Sequence, residues 1–145
     1  MSDIVEAHIQ AITHHYTLHY PEHPARTSDP HYKDFEHLRK TLKSNPDTWK
    51  CAIGLHRNDF TECDLDNPLE LHHAHVEFSL QNGIELAWLE KDYPGISDPT
   101  TLGAWVESAS NLEVLCQFHH RGHGGVHVAA ASDYEAEKFV RGLIQ

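Results

Sequence analysis

Two separated blocks of this sequence carry the residues best suited to chemistry. The first is Glu70-Leu71-His72-His73. The second runs Asn111-Leu112-Glu113-Val114-Leu115-Cys116-Gln117-Phe118-His119-His120, with His123 and His127 close behind. A histidine pair, a distant asparagine and a terminal histidine cluster are the parts of a one-metal phosphodiester-cleaving site. There one neutral imidazole takes a proton from water while others hold a divalent cation. Adjacent strand positions point to opposite faces, so His72 and His73 can take different roles only at a strand end or a bulge. His75 shares the strand face of His73 and is a candidate supporting group. Arg121 is the only Lys or Arg within the downstream block, where it could stabilise charge on a phosphate. The amides of Gly124-Gly125 could form an anion-binding nest, although glycines more often permit a tight turn.

These blocks need elements to hold them. Residues 3–20 show Val5, Ile9, Ile12 and Tyr16 at helical spacing, ended by Pro21, which predicts a helix. Asp29-Pro30 reads as an N-cap with proline in the first turn of a second helix. Its apolar stripe is Tyr32, Phe35, Leu38 and Leu42, and its other face carries Lys33, Arg39, Lys40 and Lys43. Cys51-Ala52-Ile53-Gly54-Leu55 reads as a short strand and residues 69–78 as a second. Residues 84–92 and 102–110 read as short helical pieces, and residues 112–115 as a strand. A turn or short helix then begins at Cys116. Ser132-Asp133-Tyr134-Glu135 has capping-box spacing, followed by Ala136, Phe139, Val140, Leu143 and Ile144 as the buried stripe of a C-terminal helix.

The two blocks resemble the HNH nucleases, the ββα-metal or His-Me finger family. Their common form reads roughly E-x-H-H, then N-L-x-x-L-C-x-x-C-H. The match holds except at His119, where the family usually has Cys. The chain also looks like small free-standing HNH proteins of phages. The resemblance covers roughly residues 51–127 and implies an α+β fold: an HNH-like core over residues 49–130, a helical extension over 1–48 and a C-terminal helix over 131–145. It further implies His72 as a metal ligand, His73 as general base, Asn111 as the residue orienting that base, and His120 as the second ligand. His123 and His127 are both candidates for the third. Many relatives hold a structural zinc in paired C-x-x-C motifs. Here Cys51, His56 or Cys63, Cys116 and His119 would supply a tetrahedral Zn²⁺ site, and the alternative is buried thiols with a packing histidine. For the open site Mg²⁺ or Mn²⁺ is expected, and Ni²⁺ or Zn²⁺ also suit imidazole.

The 145 residues suit one domain, with 39 % hydrophobic residues and a mean hydropathy of −0.54. No 18-residue apolar run and no signal peptide are visible, so no membrane partner and a cytoplasmic location are expected, the host cytoplasm if a phage encodes the chain. Three cysteines suit free thiols or metal ligands better than a disulfide framework. The net charge of −11 is awkward for a DNA-binding protein. Across residues 58–120, Lys91 is the only Lys or Arg against twelve acidic residues. DNA is the expected partner from the resemblance. A small cyclic nucleotide, which needs fewer cationic contacts, is the alternative, and a non-catalytic metal-stabilised binding module is a third. A homo-oligomer is compatible with the chain.

Overall fold

The computed structural model describes residues 3–145. It mixes short helices with one small sheet, in agreement with the α+β expectation. The elements run α1 (Tyr32–Lys43), α2 (Ala52–Arg57), β1 (Glu70–His73), α3 (Leu86–Asp92), α4 (Pro99–Val106), β2 (Leu112–Leu115), α5 (Gln117–His120) and α6 (Ala131–Ala136), with short 3-10 segments at Arg26–Ser28 and Phe78–Gly83.

β1 and β2 pair antiparallel, with Glu70 opposite Leu115 and His73 opposite Leu112. Period-2 alternation gives the pair two different faces. Leu71, Leu112 and Val114 point to one side, where Phe35, Leu38 and Leu42 of α1 and Trp49 cover them. Glu70, His72 and Leu115 point to the other side, toward α5. A second apolar cluster, Cys51, Ile53, Leu115, Cys116 and Tyr134, joins α2 and α6 to that face. The chain between the strands packs separately around Val76, Ile96, Leu102 and Val106.

Local signals explain the elements that form. The apolar stripe of α1 meets the sheet, and Lys33, Lys40 and Lys43 stay exposed on its outer side. Asp29 does not cap the helix directly. Its Oδ1 accepts from the His31 amide at 2.7 Å, and the helix begins at Tyr32. α4 starts earlier than the apolar pattern predicts, because Asp98 and Thr101 form a reciprocal capping box with Pro99 in the first turn.

Four expected elements differ. The strand expected over residues 69–78 is limited to Glu70–His73, because the amides of His75 and Val76 donate to the Asn111 side chain instead of a ladder partner. Residues 3–20 form no helix, and Ile4, Val5, Ile9, Ile12 and Tyr16 are exposed. Helical periodicity yields a stable helix only when its apolar face is buried, and among the described residues none covers this one. The segment 51–55 is the start of helix α2 rather than a strand. A five-residue apolar run is ambiguous between the two, and the Cys51 carbonyl here accepts a helical bond from the Leu55 amide at 2.9 Å. The C-terminal helix is limited to α6. Ala130 precedes it without a side-chain cap, Gly142 has φ +66°, and Phe139 and Leu143 are exposed. Polar bonds fasten this end instead. Arg57 donates to the carbonyls of Glu137 and Val140, and Arg141 pairs with Asp59 at 2.8 Å. Among the described residues, no helix is long and apolar enough to cross a membrane.

Candidate metal centres and the His73 site

The corner where β2 runs into α5 places two ligand clusters back to back. α5 is a single turn, so the adjacent residues His119 and His120 point to different sides of it, and both are buried. His119 points to the α2 side and His120 to β1.

The His119 side gathers Cys51, Cys63 and Cys116, with all ligand atoms within 4.8 Å of one another. His119 Nδ1 lies 3.2 Å from Cys116 Sγ, 3.7 Å from Cys51 Sγ and 3.8 Å from Cys63 Sγ. Tetrahedral zinc with ordinary bond lengths places sulfur and nitrogen ligands roughly 3.5 Å apart, so the set fits that ion. Electrostatics point the same way. Hydrogen bonds from Cys51 and Cys63, and then from His119, hold the Cys116 thiol far below its usual range. Burial lowers the His119 imidazole, but its bonds to Cys116 and Cys51 outweigh that and raise it to about 9. Three sulfurs crowded around one buried imidazole nitrogen make a donor set that suits a cation at its centre. On the far side of the ring, His119 Nε2 has no hydrogen-bond partner, and Glu137 Oε1 stands 3.7 Å away. Glu137 is itself buried, and burial pushes its carboxyl up to about 7. Cys63 therefore supplies the fourth donor. His56 does not: it is exposed and packs edge-on against Phe139 at 5.4 Å.

The other cluster is His72, His120 and His127, again with ligand atoms within 4.8 Å. His120 Nε2 and His127 Nε2 are 3.1 Å apart. Two imidazole nitrogens on one divalent ion stand roughly 3.0 Å apart in octahedral and 3.4 Å in tetrahedral geometry, so this pair also fits. Glu70 Oε1 lies 2.9 Å from His120 Nδ1. A carboxylate only accepts, so Nδ1 carries the proton and Nε2 presents its lone pair to the cluster. His72 Nδ1 is buried without a partner. Burial first, then the neighbouring imidazoles of His120 and His127, hold His72 down at about 3, so its nitrogens stay free of added protons. Burial and His120 likewise lower His127.

His127 reaches the cluster through a tight return of the chain. The Val126 amide donates to the His119 carbonyl at 3.0 Å and the His127 amide to the His120 carbonyl at 3.2 Å. A Cβ on Gly125 would overlap the His120 carbonyl, so only glycine permits this approach. Gly124 and Gly125 are buried, and their contribution is close packing rather than an open nest of amides. Of the two candidates for the third ligand, the structure brings His127 to the cluster. His123 is exposed and lines a separate cleft with Glu62 and Gln117.

His73 lies at the end of β1 on the face opposite His72, as a strand end allows. Its ring stacks on Phe35 at 5.7 Å. Nε2 lies 2.5 Å from Glu107 Oε1, and Nδ1 lies 3.8 Å from Glu77 Oε2. The other Glu77 oxygen is 3.9 Å from His72 Nδ1 and 3.8 Å from His127 Nε2. Glu77 therefore bridges the gap between His73 and the three-histidine cluster.

Asn111 is fully buried, but its side chain makes no hydrogen bond to His73. Its carboxamide oxygen accepts from the amides of His75 and Val76 at 2.9 and 3.0 Å, and its nitrogen donates to the carbonyls of Val76 and Val106 at 2.9 Å each. It clamps the chain leaving β1 to the chain entering β2. His75 faces away, among Tyr93 and Trp105. Arg121 is mostly exposed, with Nε 3.6 Å from Glu70 Oε1. It stands beside the open cluster rather than inside it.

Sequence reasoning assigned no role to Glu77, Glu107 and Glu137. Glu107 follows the apolar run Leu102–Val106, and a carboxylate there is a weak hint of a buried partner. Glu137 lies on the expected C-terminal helix with nothing to separate it from a solvated acid.

The chain matches no family model, and neither curated proteins nor solved structures give a significant match. The reading of the site rests on its geometry.

Proposed function

We propose that the chain is a metal-dependent phosphodiesterase of the HNH type, acting as an endonuclease on DNA with His73 as general base. The observation that carries this reading is the convergence of His72, His120 and His127 beside a histidine that immediately follows the first ligand and serves no metal. His72, His120 and His127 would hold a divalent cation, Mg²⁺ or Mn²⁺ by availability and Ni²⁺ or Zn²⁺ by ligand preference. Such a cation supplies Lewis-acid stabilisation of the phosphate and the leaving oxygen.

The remaining steps belong to side chains. His73 takes a proton from water as its oxygen attacks phosphorus in line. The phosphorus–O3′ bond breaks, the 3′-oxygen acquires a proton from solvent, and the products carry 5′-phosphate and 3′-hydroxyl ends. Phe35 keeps the His73 ring from rotating away. Glu70 turns His120 Nε2 inward. Arg121 is free to approach a phosphate because most of its side chain is exposed. Cys51, Cys63, Cys116 and His119 would hold a structural Zn²⁺ that fixes α5, and so fixes His120.

One observation favours a second substrate. Lys and Arg are nearly absent from residues 58–120, whereas a duplex needs several phosphate contacts. A small cyclic nucleotide needs few.

The test is a cleavage panel with Mg²⁺ or Mn²⁺ on plasmid, single-stranded DNA, RNA and cyclic dinucleotides, with His73→Ala alongside. The DNA reading requires nicked or linear plasmid from the parent chain and a roughly 10²- to 10⁴-fold loss in the variant. Cleavage of cyclic dinucleotides alone would move the substrate to the second class. No hydrolysis of any of these by folded, metal-loaded protein would leave a metal-stabilised binding module.

A further inference from the structure

His73 is held from behind by an ion pair whose carboxylate is buried. Glu107 follows the last residue of α4, and its side chain has no exposed surface. One oxygen lies 2.5 Å from His73 Nε2, and the other accepts from Arg26. The Arg26 guanidinium is boxed by three aromatic rings, with centroids 5.0 Å away for Tyr32, 4.7 Å for Phe35 and 4.8 Å for Phe78. Phe35 also stacks on His73, so one ring fixes both donors that meet at Glu107.

The tautomer follows from this arrangement. An ionised carboxylate has no proton to give, so the nitrogen hydrogen-bonded to it at 2.5 Å must be the protonated one, whereas Glu77, 3.8 Å from Nδ1, is out of hydrogen-bond range. In the neutral ring that nitrogen is Nε2. The lone pair is then on Nδ1, which faces Glu77 and, beyond it, the three-histidine cluster.

We propose that Glu107 is the positioning residue for the base: held by Arg26, it fixes His73 as the Nε2–H tautomer and aims the Nδ1 lone pair at the reacting water. The inference rests on the phosphodiesterase reading for its catalytic part and on geometry alone for the tautomer. It divides the task that the family resemblance gives to Asn111. Asn111 clamps the backbone after His73, and Glu107 sets the imidazole. Carboxylate is required because Arg26 and His73 both donate to it. A carboxamide offers one oxygen, and with Arg26 on that oxygen its NH₂ group meets Nε2 and selects the opposite tautomer.

Long-range proton–nitrogen NMR of the imidazole rings tests this in the full chain with Mg²⁺, above the imidazole titration range. In the parent, His73 should be protonated on Nε2 and bare on Nδ1. Glu107→Gln should shift the ring toward Nδ1–H and lower kcat on the cleaved substrate roughly 10²- to 10⁴-fold, the range that a general base contributes. KM and bound metal should be unchanged, and Glu107→Asp should recover part of kcat with the parent tautomer. An Nδ1-protonated ring in the parent would overturn the inference without any variant, so it remains decidable if Glu107→Gln fails to fold. Unchanged kcat in a folded Glu107→Gln would overturn it as well. If the parent hydrolyses nothing, the phosphodiesterase reading fails and takes the catalytic role of Glu107 with it, while the spectrum still decides the tautomer.

Discussion

The cluster around His119 and the cluster around His120 hang from the same helical turn and are built in opposite ways. The first has three thiols and one imidazole, four donors that use up a tetrahedral shell, with Cys51, Cys116 and His119 shut away from solvent. The second has three imidazoles, and its third member, His127, keeps 39 % of its side chain exposed. A closed four-donor set suits a structural ion, and a three-donor set with an open side suits an ion that must also meet a substrate. The contrast teaches that the geometry of one cluster depends on the rigidity of the other, since neighbouring residues of one turn belong to both.

The largest expected effect comes from the closed cluster. Cys116→Ser, or stripping by a thiol-competing chelator, should cost on the order of 5 kcal/mol and leave little folded protein. Thermal unfolding with parallel metal analysis reads this, and an unchanged midpoint would show that the thiols hold no structural ion. His127→Ala should fold normally but bind the open-site metal more than about a hundredfold more weakly, beyond the usual cost of losing an outer hydrogen-bond partner. His123→Ala should leave the affinity alone. Metal titration of the two variants distinguishes them, and equal losses would erase the assignment. Next is Glu70→Gln, which loosens the hold on His120 Nδ1 and should weaken the same metal roughly 10- to 100-fold.

The smallest effect separates the strand from both clusters. Glu113 on β2 belongs to neither, and burial raises its carboxyl above the ordinary value of 4.5. The folded chain then keeps a proton that the unfolded chain releases, so this contribution to stability is present below 4.5 and is lost as pH rises through the raised value. Glu113→Gln should flatten the stability curve in that acid window. A slope equal to the parent's, measured by denaturant unfolding at several pH values, would count against it.

The downstream block was the most legible part of the chain. Residues 112–115 alternate as a strand should, and Cys116 to His120 are close enough in sequence for one turn to set their directions. α1 was legible because its stripe has a sheet to cover. Residues 3–20 carry a comparable stripe and stay unfolded into helix, since periodicity says nothing about whether a partner surface exists. The choice of Cys63 over His56 and of His127 over His123 depends on how loops return, and loop return depends on contacts such as Gly125 against the His120 carbonyl. Glu107 was beyond sequence reasoning for the same reason. Its partners lie 81 residues away at Arg26 and 34 away at His73, and only the packed structure brings them together.

The pairing of Glu70 with Leu115 also governs how the molecule comes into being. The two strands cannot zip up as a local hairpin, because roughly 40 residues must be looped out before the first cross-strand bond forms, and closing such a loop costs entropy that short-range contacts do not repay. Until that closure, His72 is distant from His120 and Cys51 from Cys116. A newly made chain therefore holds only halves of the two candidate centres, Cys116 with His119 and His120 with His127. Both centres are completed in the same late event, so the kinetics of tight metal uptake during refolding should track the closing of this sheet rather than any earlier collapse.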